Sequence, residues 1–170
     1  SGLHLANLPV EEWLFFITVP YACVFTYEVI KAYFPKAHFG PQRLNITYGL
    51  IIVFFVLAFA NVNRPYTATT FFLLTFFLTM LTVFYKAEFL GRFYLVYLVI
   101  LFPFLIVNGI LTGSFIEGEV VYYNDRANMG IRIFTIPVED VFYGMLLILS
   151  NVSFYEIFKA RGRKTKKAIT

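Results

Sequence analysis

The 170-residue chain is 59% hydrophobic and 21% aromatic but only 14% charged, well short of the quarter or so usual in soluble domains. Its apolar residues fall in long runs without alternation or a narrow stripe, which excludes an ordinary soluble domain and points to a membrane protein. A single cysteine, Cys23, excludes an internal disulfide and any cysteine-built metal site.

A spanning helix needs about 20 mostly apolar residues, and five segments meet that length, giving an all-α, polytopic membrane helix bundle. The first is predicted over about Val10 to Phe34, interrupted by Pro20. It is preceded by acids and has no basic n-region, so it does not read as a cleavable signal peptide. Pro35 and Gly40-Pro41 close it, and the second helix covers about Leu44 to Ala60. After Asn63-Arg64-Pro65 the third covers about Tyr66 to Tyr85. The fourth, about Phe89 to Leu111, carries Pro103; prolines inside lipid-embedded helices kink them and are tolerated. A long connection from Thr112 to Ile136 leads to the fifth helix, about Val138 to Phe158, and a basic tail over 160–170.

The net charge of +4 is sorted by membrane side. Eleven of the fourteen basic residues fall on the side where the first helix ends, and only Arg64, Arg126 and Arg132 on the other. By the positive-inside rule the basic side is cytoplasmic. Seven of the ten acids lie opposite: Glu11, Glu12, Glu117, Glu119, Asp125, Glu139 and Asp140. The tail Lys159–Lys167 is read as an anchor at the anionic inner leaflet. Glu28 with Lys31, and Glu156 with Lys159, are spaced i,i+3 at the basic ends and read as ion pairs within each helix.

Slid against itself by 128 residues, the sequence repeats. Gly2, Pro9, Val10, Glu11, Val24, Tyr27, Glu28 and Lys31 fall on Gly130, Pro137, Val138, Glu139, Val152, Tyr155, Glu156 and Lys159, and Glu12 falls on Asp140. Eight identities in separate patches argue for an internal parallel repeat. Three helices separate the copies, so the first and fifth helices share a direction, and P-V-E-E at 9–12 and P-V-E-D at 137–140 reach one end of the bundle. Proline at the first helical position with acids behind it is also an ordinary helix start. Two copies at matched depth favour a site. Carboxyls paired in a low-dielectric place repel when both are ionised. One can then be kept protonated as a general acid while an ionised neighbour serves as base.

These two corners resemble the paired P-x-E-[ED] motifs of the membrane-integral lycopene cyclases, the heterodimeric or fused two-domain type. The stretches N-L-P-V-E-E-W-L-F-F-I-T-V-P-Y-A-C-V-F, V-N-G-I-L-T-G-S-F-I-E-G-E-V-V-Y-Y-N and I-P-V-E-D-V-F-Y-G-M-L-L-I-L are similar to its bacterial fused members. In that family two helices normally precede the first motif. The resemblance therefore implies that 1–34 holds the last helix of a truncated N-terminal half. On the same reading 35–43 is a cytoplasmic linker, 44–159 a C-terminal half with four helices, and 160–170 a cytoplasmic tail. It implies an enzyme of the bacterial inner membrane, an intramolecular lyase or isomerase, that cyclises the ψ-ends of a linear carotenoid such as lycopene. The expected partners are that substrate, the bilayer, and the missing helices or a partner half.

Carried over by motif position, Glu11 and Glu139 are the first choices for proton transfer. Glu12 and Asp140 come second, because adjacent helical residues point about 100° apart. Pro9 and Pro137 set the helix starts. Trp13, Phe15, Phe142 and Tyr143 are nearby rings that can line a substrate pocket; a ring facing a carbocation stabilises it by roughly 0.5–2 kcal/mol, though Trp13 equally suits an interfacial anchor. Asn108, with Thr112 at i+4, lies at the acidic end and suits a carboxyl hydrogen bond or a helix–helix one. No G-x-G-x-x-G follows a strand, so no nucleotide cofactor is expected. His4 and His38 lack ligand spacing, so no metal is expected either. A small transporter or lipid-binding protein with proton-relay carboxylates is the alternative. A retinal-binding receptor fits less well, because the fifth helix has no lysine before Lys159.

Overall fold

The computed structural model describes residues 4–5, 8–114, 121 and 123–169, with side chains described for 9–10, 13–15, 17–114, 121 and 123–162. Five helices account for most of it: α1 Val10–Tyr33, α2 Gln42–Ala60, α3 Pro65–Val83, α4 Leu90–Leu111 and α5 Val138–Ile169. All five contain a stretch long and apolar enough to cross a membrane. The first four agree with the sequence expectation to within about two residues. The fifth does not stop near Phe158 but continues as helix through the basic segment to Ile169. Lys, Arg and Ala favour helix, and no proline intervenes after Pro137.

The sequence reading had no strands, yet two short antiparallel hairpins are present. Strands β1 (His4–Leu5) and β2 (Leu8–Pro9) precede α1, and β3 (Arg132–Ile133) and β4 (Ile136–Pro137) precede α5. In the first hairpin His4 pairs with Pro9 and Leu5 with Leu8; in the second Arg132 pairs with Pro137 and Ile133 with Ile136. Every one of these positions is displaced by the same 128 residues as the sequence repeat. The duplicated unit is therefore a hairpin that turns directly into a spanning helix.

The contacts fix the helix directions. The first turn of α3 meets the first turn of α5 through Thr67 and Glu139. At the other end, Arg92 Nη2 in α4 donates to the Pro35 carbonyl just past α1 at 2.8 Å, and Phe39 N donates to Gly91 O at 3.2 Å. Helices α1, α3 and α5 thus run one way, α2 and α4 the other. The core between them is built from Tyr27, Phe54, Phe71, Leu74, Leu78, Phe93 and Leu149, all essentially without exposure. Large apolar side chains such as Phe76, Phe102 and Phe154 point outward, as lipid-facing residues must in a bundle whose solvent is hydrocarbon.

At the basic end the two repeat copies interlock. Lys31 and Tyr27 of α1 both bond Glu156 Oε1 of α5, the tyrosine at 2.8 Å, while Lys159 Nζ of α5 reaches Glu28 Oε2 of α1 at 2.7 Å. Each lysine also lies over the ring of the tyrosine four residues earlier in its own helix, Lys31 5.2 Å from Tyr27 and Lys159 5.0 Å from Tyr155. The expectation of separate pairs within each helix is corrected here. Glu28 and Lys31 do approach within 3.4 Å, but the shortest pairs are exchanged between helices. Parallel helices that repeat Tyr, Glu and Lys at the same positions, packed side by side, offer each lysine a closer acid on its neighbour than on itself.

Candidate functional site: two buried carboxyl groups at the acidic end

The site begins with the chain path into α5. The turn between β3 and β4 places Phe134 at φ +57°, an uncommon conformation for a bulky residue, with its ring exposed. Arg132 Nη1 donates to the Thr135 carbonyl at 2.9 Å, and the Thr135 hydroxyl meets those of Thr112 at 2.6 Å and Ser114 at 2.5 Å. The hairpin is therefore strapped to the end of α4. Pro137, itself buried, then feeds Val138 into the helix with φ already suited to that step. Val138 N donates to Ile131 O at 2.9 Å.

The next two residues are acids, and both are buried: Glu139 has no exposure and Asp140 has 4%. An acid in the first turn ordinarily caps its own helix. These two turn away instead. Glu139 Oε1 accepts a hydrogen bond from Thr67 Oγ1 of α3 at 2.5 Å and another from the Met129 backbone N–H at 2.6 Å. Its second oxygen, Oε2, is buried with no hydrogen-bond partner among the described residues. Asp140 takes Tyr66 Oη at 2.5 Å on Oδ1 and the Tyr123 hydroxyl on Oδ2. The two carboxyls thus serve different hydrogen-bond sets, as the 100° step between neighbours requires.

A loop brings the donors together. Tyr66 N and Thr67 N donate to the Ala127 carbonyl at 3.0 and 3.4 Å, docking residues 123–130 on the start of α3. Asn124 Oδ1 accepts from Arg126 N at 3.0 Å, and Asn128 Oδ1 from Gly130 N at 2.7 Å. Gly130 has φ +72°, a value that glycine adopts without cost; its turn aims the Met129 N–H at Glu139. Outside the spans, Asp125 pairs with Arg132 at 2.6 Å. The hydrogen bond from that guanidinium, with its charge, holds the Asp125 carboxyl below its ordinary range. Burial first, and then the Asp140 carboxyl, push the Tyr123 phenol well above its usual value.

The other expected residues divide. Phe142 packs with Phe54 and Phe71, ring centroids 5.2 and 5.3 Å away, in an aromatic cluster one turn below Glu139. Tyr143 is partly exposed, 6.3 Å from the Tyr66 ring. Trp13 and Phe15 lie on the outer part of α1 with much of their surface exposed. Asn108 gives its carbonyl to the Thr112 hydroxyl at 2.8 Å, and no bond among the described residues joins it to either carboxyl. Pro9 ends β2 as Pro137 ends β4. Glu11 and Glu12 occupy the first turn of α1, but their side chains lie outside the described residues. Tyr66, Thr67, Tyr123 and the Met129 amide were not anticipated from sequence. The available signal was position: Tyr66-Thr67 follows Asn63-Arg64-Pro65 directly, at the acidic end.

Spanning helices, a duplicated hairpin–helix unit and a pair of carboxyls buried at one end define a polytopic membrane protein with two buried acids at the start of its fifth helix. The family model described as lycopene cyclase matches residues 1–30 and 63–158, and each matched segment carries one acidic corner. The chain belongs to the lycopene cyclase family, and is thus a membrane-bound cyclase of carotenoid biosynthesis. The unmatched stretch 31–62 carries α2. No curated protein and no solved structure matches the chain.

Proposed function

We propose that the protein catalyses cofactor-independent cyclisation of the ψ-ends of lycopene or a related linear carotenoid, with Glu139 and Glu11 as the proton-transfer residues. One acid gives its proton to the terminal double bond, breaking O–H, forming C–H and leaving a tertiary cation. The neighbouring double bond attacks that cation and closes the six-membered ring. A base then removes a proton from carbon next to the new cation, so the sequence is an isomerisation without net redox change. The observation that carries this reading is the asymmetry of Glu139. Its Oε1 is held by two donors, while the buried Oε2 has no partner among the described residues. A carboxyl held this way keeps its orientation through one oxygen and exchanges its proton through the other.

Asp140, clasped by Tyr66 and Tyr123, and its counterpart Glu12 act as supports to that pair. We further propose that the first corner is completed by helices of a complementary half, whether joined in one chain or supplied by a partner. The repeat supports this. Met145 and Leu149 of α5 are 4% and 0% exposed, whereas their counterparts on α1, Ile17 and Tyr21, are 66% and 72% exposed. The basic end faces the cytoplasm of a bacterial inner membrane by the positive-inside rule. The test is to express the chain, with and without a supplied N-terminal helix pair, in cells accumulating lycopene and to separate the pigments. Cyclic carotenoid is the expected product with the pair present. A verified, folded assembly that leaves lycopene linear overturns the proposal.

A further inference from the structure

The cations at the basic end are not all used by the interlocked lysines. A cavity of about 370 Å³ opens there between the end of α1 and the starts of α2 and α4, lined by Lys31, Arg43 and Arg92 together with Glu156 and Glu88. That volume lies in the range of small-molecule sites. Glu156 is already committed to Lys31 and Tyr27, and Glu88 is exposed at the rim. Neither guanidinium has an ion-pair partner among the described residues. Arg92 is braced through Nη2 on the Pro35 carbonyl, while its Nε is buried with no acceptor among those residues. Buried donors are rarely left orphaned, so this one marks a place for an acceptor.

Beside the cavity, α4 packs closely on the start of α2. A Cβ added at Gly91 would lie 3.3 Å from Arg43 Cβ and 3.5 Å from Phe39 N, so the absence of a side chain lets α4 press against the start of α2. The Phe39 N–H closes that contact on Gly91 O. Arg43 is the second residue of α2 and Arg92 the third of α4, so both stand at the ends of helices long enough to span a bilayer, the level expected for lipid headgroups. We propose that this cavity binds a phosphate group, that of an anionic phospholipid, with Arg43 and Arg92 as its ligands. Planar guanidiniums suit phosphate oxygens, and basic pockets between spanning helices favour anionic headgroups. A hydrocarbon substrate carries no such group, so the site is separate from the acidic end.

The test uses the full chain in detergent, with bound lipid counted by native mass spectrometry during titration with phosphatidylglycerol or phosphatidylcholine. Tight retention of phosphatidylglycerol over phosphatidylcholine is expected. Loss of one charge-assisted contact in Arg43→Gln should weaken it about tenfold. Arg92→Gln should do the same, but it also releases Pro35, so Arg43→Gln is the decisive variant. Lys36→Gln, exposed and outside the cavity, should retain the lipid as the parent does. Displacement by millimolar inorganic phosphate would mean that the phosphate group alone is recognised. Resistance to it would mean that the acyl chains contribute as well. Equal retention of both lipids, or equal weakening by Lys36→Gln and Arg43→Gln, overturns the proposal.

Discussion

Replacing Glu139 by glutamine separates acid chemistry from architecture. The amide oxygen of glutamine can keep both bonds now made by Oε1, from Thr67 at 2.5 Å and Met129 N at 2.6 Å. The amide must then project its NH2 where Oε2 stands, at a buried position without a partner among the described residues. An unsatisfied buried donor costs about 1–3 kcal/mol, a fall of a few degrees or more in the melting midpoint for a chain of this size. Most of the protein stays folded. Loss of a positioned general acid or base costs about 10²- to 10⁴-fold in rate, equivalent to roughly 3–5 kcal/mol of barrier. The assay is cyclic carotenoid formed per unit of folded, membrane-inserted protein in lycopene-accumulating cells, with the complementary helices present. Glu139→Asp, which keeps the acid but shortens its reach by one methylene, should fall between parent and Gln. Cyclisation by Glu139→Gln within about threefold of the parental rate would refute the assignment of Glu139.

Tyr66→Phe and Tyr123→Phe should each remove one donor from Asp140, costing about 1.5–3 kcal/mol for a hydrogen bond to a charged group. Their double variant should lose measurably less or more than the sum, because both act on one carboxyl; thermal unfolding in detergent reads this out. At the basic end, Glu156→Lys should repel Lys31, and Lys31→Glu combined with it should restore the pair. The recovery should be about 1 kcal/mol or less, since these side chains are partly exposed. Asp125 is held below its ordinary range by Arg132, so its contribution is present above the usual carboxylate range and is lost as pH falls through its folded value. Protection from hydrogen exchange over 123–132, taken relative to the intrinsic rate at each pH, should therefore fall below about pH 4, and Asp125→Asn should show that lower protection already at neutral pH.

What could be read from sequence is what depends on local properties. Length and hydropathy of a run decide whether it spans a bilayer, and prolines and glycines punctuate the runs, so five helices were placed without reference to one another. Self-similarity revealed the repeat, and with it the common direction of α1 and α5 and the shared level of their acidic turns. The two hairpins escaped notice because strands of two residues carry no periodic signal.

The facing of each helix was decided only by tertiary structure. A spanning helix is apolar all round, since lipid and helix interface are equally greasy, and so it carries no polar stripe to mark its inner side. Nothing in 66–67 alone announces that Tyr66 and Thr67 turn toward the fifth helix rather than the membrane. Nor does the i,i+3 spacing of Glu28 and Lys31 reveal that the shorter bridge crosses to Glu156. The carboxyls at 139 and 140 were legible as acids at a helix start. That one is gripped by a single oxygen, and the other clasped by two phenols, followed from where α3 and the 123–130 loop came to rest.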